Sequence, residues 1–317
     1  MKKTALIILT IILTMMLFVG CSPNTSNQDG TAVSGQSAKT AAPKDLLDED
    51  TDALGNTVIA KGGETDRLTI VSTAPSTTEI LFALGCGDKI VGVDVYSTYP
   101  DEASNIEKVG DFNGFDIEKV IALNPSVVFA GNGLQLNQIH ELEAAGLFVV
   151  ATEATYYEDI VSSITLIGSV VGKKAEAAAL NEQIADAAAK VKEKASKIED
   201  KPTVYYVMGI GEYGNWTSGE GSFINTVIEM AGGVCITAGS ESEWLNYPVE
   251  NLIMDDPDIL LVSEGVTEQA LLSETGYKDL SAINNGTYYF ISPDMIERPG
   301  PRIAQVLEIV QRYVLGE

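Results

Sequence analysis

The chain has 317 residues, of which 45% are apolar, enough for two domains or one large one with a real core. Its net charge of −25 argues against nucleic acid as a partner, because phosphate neutralisation needs lysine and arginine. The same charge argues against docking of the folded body on an anionic membrane surface and favours solubility.

Residues 1–21, MKKTALIILTIILTMMLFVGC, set two lysines ahead of an apolar run from Ala5 to Val19. That pattern is a secretory signal and is short for a membrane span. Gly20–Cys21 resembles a bacterial lipobox, so Cys21 is the expected lipidation site and the chain is expected on the extracytoplasmic face of the cell membrane. The alternative is an uncleaved anchor with an incidental cysteine. Cleavage there leaves 18 − 45 = −27, since Lys2 and Lys3 depart and no acid does. Residues 22–66 are rich in Ser, Thr, Asn, Gly and Asp and read as a disordered tether. Within them DALGNTVIA could supply an edge strand to the following domain.

A β/α lobe is expected over 67–156. RLTIVS leads into a helix, TTEILFALG, where Ser76 and Glu79 stand as a capping box. KIVGVD, SVVFA and LFVVAT are further strands, with a helix near Asn137–Ala145. Residues 157–200 turn helical. Leu180, Ile184, Ala187, Val191, Ala195 and Ile198 mark one face of a helix of about 25 residues, roughly 37 Å long. A second β/α lobe is expected over 201–317, from TVYYVM to a last helix, IAQVLEIVQRYVLG. Alternating strands and helices imply parallel sheets covered on both faces. Cys86 and Cys235, in LGCGD and GGVCI, read as small buried residues in separate halves, with no spacing that indicates a disulfide.

One phrase occurs twice. IEKVIALNPSVVFA at 117–130 and VENLIMDDPDILLV at 249–262 each place a Glu second, then a Pro seven residues later, then a buried strand. Glu118 and Glu250 are 132 positions apart, and an aromatic precedes each by six, Phe112 and Trp244. A Glu in a first helical turn suits the helix dipole by itself, but that does not explain the pairing. GIGEYG at 209–214 fits a dinucleotide fingerprint in letters and fails in context, because NWTSGEG intervenes before the helix. The single histidine, His140, permits neither a three-histidine metal site nor a convincing hydrolytic triad. Tyr96, Phe112, Tyr213, Trp216, Trp244 and Tyr247 fall mostly in predicted strand-to-helix loops, the place where parallel sheets bind ligands. ERPGPRI adds Arg298 and Arg302 in a rigid turn.

APSTTEILFALG, IEKVIALNPSVV, WTSGEGSFINTVIEMAGG, DDPDILLV and ERPGPRI resemble segments of the cobalamin- and ferric-siderophore-binding proteins of ABC importers, from about Asp52 to the C-terminus. The resemblance implies an α/β class III periplasmic-binding-protein fold, two Rossmann-like lobes on a long rigid helix. It implies a monomeric lipoprotein with no cofactor and no catalysis. The expected ligand is a metal chelate, cobalamin or another corrinoid first, a ferric siderophore or haem second. The implied partner is an ABC permease with its ATPase, docked through Glu118 and Glu250. Tyr96, Phe112, Trp244 and Arg298 are the implied ligand contacts, with Tyr213, Trp216 and Tyr247 around them. An enzyme or sensor on the same scaffold is the alternative of another class.

Overall fold

The structure, a computed structural model, describes residues 49–59, 67–111, 113–131, 135–152, 154–212 and 214–317. Cys21, Phe112 and Tyr213 lie outside these, as do the signal segment and the first part of the expected tether.

β1 (Glu49–Thr51) and β2 (Thr57–Ile59) form an antiparallel hairpin. Of the expected edge strand DALGNTVIA, Thr57–Ile59 thus pairs with the preceding Glu49–Thr51 and not with the sheet of the following lobe, because the turn between them folds the chain back. Gly55 takes φ 79° there, and Asp52 Oδ1 accepts from the backbone N–H groups of Leu54 and Asn56 at 3.0 and 2.8 Å. The same carboxylate also holds the hairpin to the body, accepting from Ala151 N at 3.2 Å through Oδ2.

The first sheet follows the predicted alternation: β3 (Ile70–Ser72), α1 (Pro75–Ala83), β4 (Ile90–Asp94), β5 (Lys108–Asp111), β6 (Gly114–Phe115), α2 (Ile117–Ala122), β7 (Val127–Gly131), α3 (Leu136–Ala144) and β8 (Val149–Thr152). Its order is β6-β5-β4-β3-β7-β8, parallel except for β6. Two helices follow, α4 (Tyr157–Val170) and α5 (Lys174–Ala195). Gly172, at φ 73°, separates them. α5 is 22 residues long, about 33 Å, slightly less than expected. Its buried stripe is Ala177, Ile184, Ala188, Val191 and Ala195, so Ala188 stands where Ala187 was expected.

The second half contains β9 (Thr203–Val207), β10 (Trp216–Ser218), α6 (Phe223–Ala231), β11 (Val234–Cys235), β12 (Trp244–Asn246), α7 (Val249–Asp255), β13 (Ile259–Ser263), α8 (Glu268–Ser273), α9 (Ser281–Asn285), β14 (Tyr288–Ile291), α10 (Pro293–Ile296) and α11 (Ile303–Val314). Its main sheet is all parallel in the order β11-β9-β13-β14, and β10 and β12 make a separate antiparallel ribbon.

Period-two alternation assigns the two faces of each sheet to different cores. Ile70, Val127, Phe129 and Val150 of the first sheet share one cluster with Val204, Tyr206, Ile259 and Leu261 of the second. Residues of α4, α5, α6 and α11 belong to that same cluster. The intervening strand residues face outward into two separate clusters, Val71, Val128 and Ala151 in one, Tyr205, Leu260 and Val262 in the other. A one-residue slip of any of these strands would exchange its two cores, so the register is strongly specified. α5 packs against α4 on one side and against α6 and α11 on the other, which is how the helical pair joins the lobes. Cys86 and Cys235 are free and buried in the shared core.

Candidate functional site

Helix α1 is buried over five consecutive residues, Thr77 to Leu81, and Glu79 is among them. A carboxylate inside a helix covered on all sides needs a partner. The expected capping box does not form. Pro75 occupies the first turn, the cap is Ala74 without a side-chain bond, and Ser76 is already inside the helix. Glu79 is bound instead by an arginine of the other lobe. Arg302 donates Nε to Oε2 at 2.8 Å and Nη2 to Oε1 at 2.6 Å, a two-pronged pair. Arg302 also donates to the Asp294 carbonyl at 2.6 Å and lies 4.2 Å from the centroid of the Tyr99 ring. Arg298 reaches Glu79 Oε1 at 3.5 Å through Nη1, and Asp294 Oδ1 and Thr98 Oγ1 at 2.5 and 3.4 Å through Nη2.

A cavity of about 410 Å³ shares Arg298 and Asp294 with this network. Its lining draws on both lobes: Thr73, Asp94 and Tyr96 follow or end strands of the first, and Asp294, Glu297 and Arg298 follow β14 of the second. These are carboxyl ends of parallel strands, the usual place for a ligand. Tyr96 is 43% exposed, on a loop fixed by Asp94, whose carboxylate accepts from Tyr96 N at 2.8 Å and from the Ser97 hydroxyl. Burial pushes the Asp94 carboxyl up, opposed by the Ser97 bond. Burial also pushes up Glu297, although the Tyr206 hydroxyl donates to it at 2.7 Å, and nearby Asp294 adds to the rise. Glu79 is raised by burial as well, with Arg302 and then Arg298 pulling it back.

Of the sequence-predicted contacts, Tyr96 and Arg298 meet in this cavity. Trp216 and Trp244 come together on the β10–β12 ribbon, since Trp216 pairs with Asn246 and Ser218 with Trp244. Directly opposed residues share a face, so both indoles stand diagonally on one side of the ribbon, 39% and 38% exposed. Tyr247 is placed differently. Its ring lies 5.9 Å from that of Tyr205 in the outer core, and its hydroxyl donates to Asp255. Neither it nor the two tryptophans line the cavity shared by Tyr96 and Arg298. Phe112 and Tyr213 fall outside the described residues. His140 is exposed beside Glu143, 3.3 Å away, remote in sequence from every residue of the cavity. Glu79, Thr98 and Tyr99 were missed by sequence reasoning as members of the site.

The repeated phrase folds the same way twice. Glu118 and Glu250 occupy the first turns of α2 and α7, both exposed, and neither bonds to any described residue. Val120 and Leu252, again 132 apart, are the single buried residue of each helix. Asn124 and Asp256 follow at φ 46° and 38°, the two non-glycine residues with positive φ among those described. Asn and Asp tolerate that region, and the following prolines disfavour a continued right-handed helix. Next, Ser126 and Asp258 exchange bonds with the threonine that opens each lobe. Thr69 N donates to Ser126 Oγ at 3.2 Å and Ser126 N to Thr69 Oγ1 at 3.0 Å. Thr203 N donates to Asp258 Oδ2 at 2.8 Å and Asp258 N to Thr203 Oγ1 at 3.0 Å. The result is one exposed carboxylate per lobe on one repeated scaffold.

Known proteins agree with this architecture. An ABC transporter substrate-binding lipoprotein of Bacillus subtilis (strain 168), YvrC, itself uncharacterized, is 29% identical over 313 residues, 97% of this chain and 96% of its own. A vitamin B12-binding protein of Vibrio cholerae serotype O1 is 26% identical over 251 residues, 77% of this chain and 88% of its own. The periplasmic heme-binding protein RhuT of Roseiflexus sp. RS-1, solved in apo form, superposes with a TM-score of 0.71 at 25% identity, over 78% of this chain and 98% of its own. The two lobes on a helical connector, the strand-end cavity between them and a family profile that matches residues 70–295 lead to one assignment: the chain belongs to the periplasmic binding protein family.

Proposed function

We propose that the protein is the substrate-binding lipoprotein of an ABC importer, that it captures a corrinoid, cobalamin first, and that it hands this ligand to the permease and its ATPase. The observation that carries the ligand reading is the cavity between the lobes. Both lobes contribute to it, Tyr96 offers an exposed ring at its edge, and its charged lining is Asp94, Asp294 and Glu297 against Arg298 alone. A corrin periphery of neutral amides suits an acidic lining better than a periphery of carboxylates does. The Trp216–Trp244 face supplies flat apolar area at the carboxyl-end side of β9. Relatives named for vitamin B12 binding support the same choice. Haem is the second reading, favoured by the likeness to a heme-binding protein; a ferric siderophore stands beside it. Glu118 and Glu250 are the docking residues, as the repeated, exposed and unbonded carboxylates. The anchor is a lipid on Cys21, which matches a relative named as a lipoprotein.

Calorimetric titration of the purified protein with cyanocobalamin, haem and a hydroxamate ferric siderophore tests this. Cyanocobalamin is expected to bind tightest, and Trp244→Ala to weaken it by about 2 kcal/mol or more, as loss of a buried aromatic anchor does. Binding of none of the three would reject the reading.

A further inference from the structure

The cavity between the lobes has one cation in its lining, Arg298, and a second close behind it, Arg302, which donates to the Asp294 carbonyl. The charge of each guanidinium is already matched by an acid of the protein. Arg302 spends its Nε and Nη2 on both oxygens of Glu79. Arg298 is bonded to Asp294 and reaches Glu79. Their side chains are only 12% and 13% exposed, and that of Glu79 1%. We propose that Glu79 is a specificity-determining residue of this cleft: by occupying Arg302 with both carboxylate oxygens and sharing Arg298 with Asp294, it withholds the cleft's guanidiniums from the ligand, so that chelates with an amide or hydroxyl periphery are accepted and those with a carboxylate periphery are rejected. This rests on the cleft being the ligand site.

The chemistry follows from what each ligand group needs. A ligand carboxylate needs a cation of its own, and to gain one here it must displace Glu79 or Asp294. Displacing Glu79 leaves a buried carboxylate without a partner, a state strongly disfavoured. Asp94 and Glu297 face the same space and add repulsion. An amide carbonyl needs only one of the five N–H donors of a guanidinium, and Arg298 retains donors beyond those bonded to acids. Glu79 itself is too deep to touch a ligand, so its effect passes entirely through the arginines it holds.

The experiment is calorimetric titration of wild type, Glu79→Gln and Asp294→Asn, each with cyanocobalamin and with haem, whose two propionates are the carboxylate probe. The readout is the ratio of haem to cyanocobalamin affinity. Glu79→Gln keeps the shape and one acceptor and removes the charge, so the ratio is expected to rise roughly 10- to 100-fold, the worth of one charge-assisted bond. Asp294→Asn, at a half-exposed position, is expected to raise it by a smaller factor and keeps the test open if the buried substitution does not fold. An unchanged or lower ratio in the folded variants overturns the proposal while leaving the corrinoid reading intact; wild type that binds haem more tightly than cyanocobalamin overturns the proposal and the corrinoid reading together. Failure of wild type to bind either chelate overturns the ligand reading and the proposal together.

Discussion

Acids are used in two opposite ways at the two candidate functional regions of this molecule. At the cleft floor every charge is met within the protein: Glu79 by Arg302 and Arg298, Asp294 by Arg298, Glu297 by the Tyr206 hydroxyl. On α2 and α7, Glu118 and Glu250 are exposed and bond to no described residue. The cleft network joins residues of different lobes that have no counterparts in each other. The helix pair repeats one arrangement at a spacing of 132, down to the positive-φ residue and the threonine bonds. A charge answered internally holds structure. A charge offered twice, on a repeated scaffold, is what the proposed docking to a permease would use.

Breaking the closed network should have the largest effect. Arg302→Ala removes the two-pronged partner of a buried carboxylate and is expected to destabilise the fold by about 3–5 kcal/mol, measured by urea unfolding. A loss below 1 kcal/mol would mean that the network is not the inter-lobe brace described here.

A smaller effect should appear with pH. Glu297 is raised from its ordinary 4.5, with burial the main cause, so the folded state holds its proton more tightly than the unfolded state. Its contribution to stability is therefore fully present below pH 4.5 and is lost as pH rises through the raised value. Glu297→Gln has no such loss. The unfolding midpoint of the variant relative to wild type should increase on going from pH 4 to pH 8, and a relative midpoint that falls over that range would reverse the assigned sign.

The smallest effect on stability, with the largest on transport, is expected at the open pair. Glu118→Lys and Glu250→Lys should leave the melting curve and chelate affinity in place while reconstituted uptake drops. If uptake survives and only the melting temperature moves, the two glutamates serve the helix dipole and the comparison fails.

How much of this was legible in the sequence depended on range. The repeat could be read because its parts lie within fourteen residues: a Glu in a first helical turn, a Pro, a strand. Even its turn conformation is signalled by Asn124 and Asp256 standing immediately before proline. The β/α order followed from alternation for the same reason. Glu79 was misread because a local rule fitted it. Ser76 three residues earlier satisfied the capping pattern, while its true partner lies 223 residues away and no local pattern carries that information. The available clue was a lone carboxylate inside a helix otherwise apolar or small. The Trp ribbon was hidden because three-residue strands are too short for alternation to register. Helix α5 was read as longer than it is because the expected apolar face ran on to Ile198, whereas the helix ends at Ala195 with Ser196 as its cap.

The hairpin of β1 and β2 bears on how the protein hangs. With a lipid on Cys21, the leash to the membrane runs to Glu49, 49 − 21 = 28 residues, because the chain beyond is tied to the body through Asp52 and Ala151. No conformation of that stretch reaches farther than roughly 100 Å. The attachment also falls on one lobe only. The proposed docking would use one repeated carboxylate from each lobe, so an attachment on the first lobe alone makes the two lobes unequal with respect to the membrane. On that proposal the hairpin distinguishes two lobes that the repeated helices leave alike.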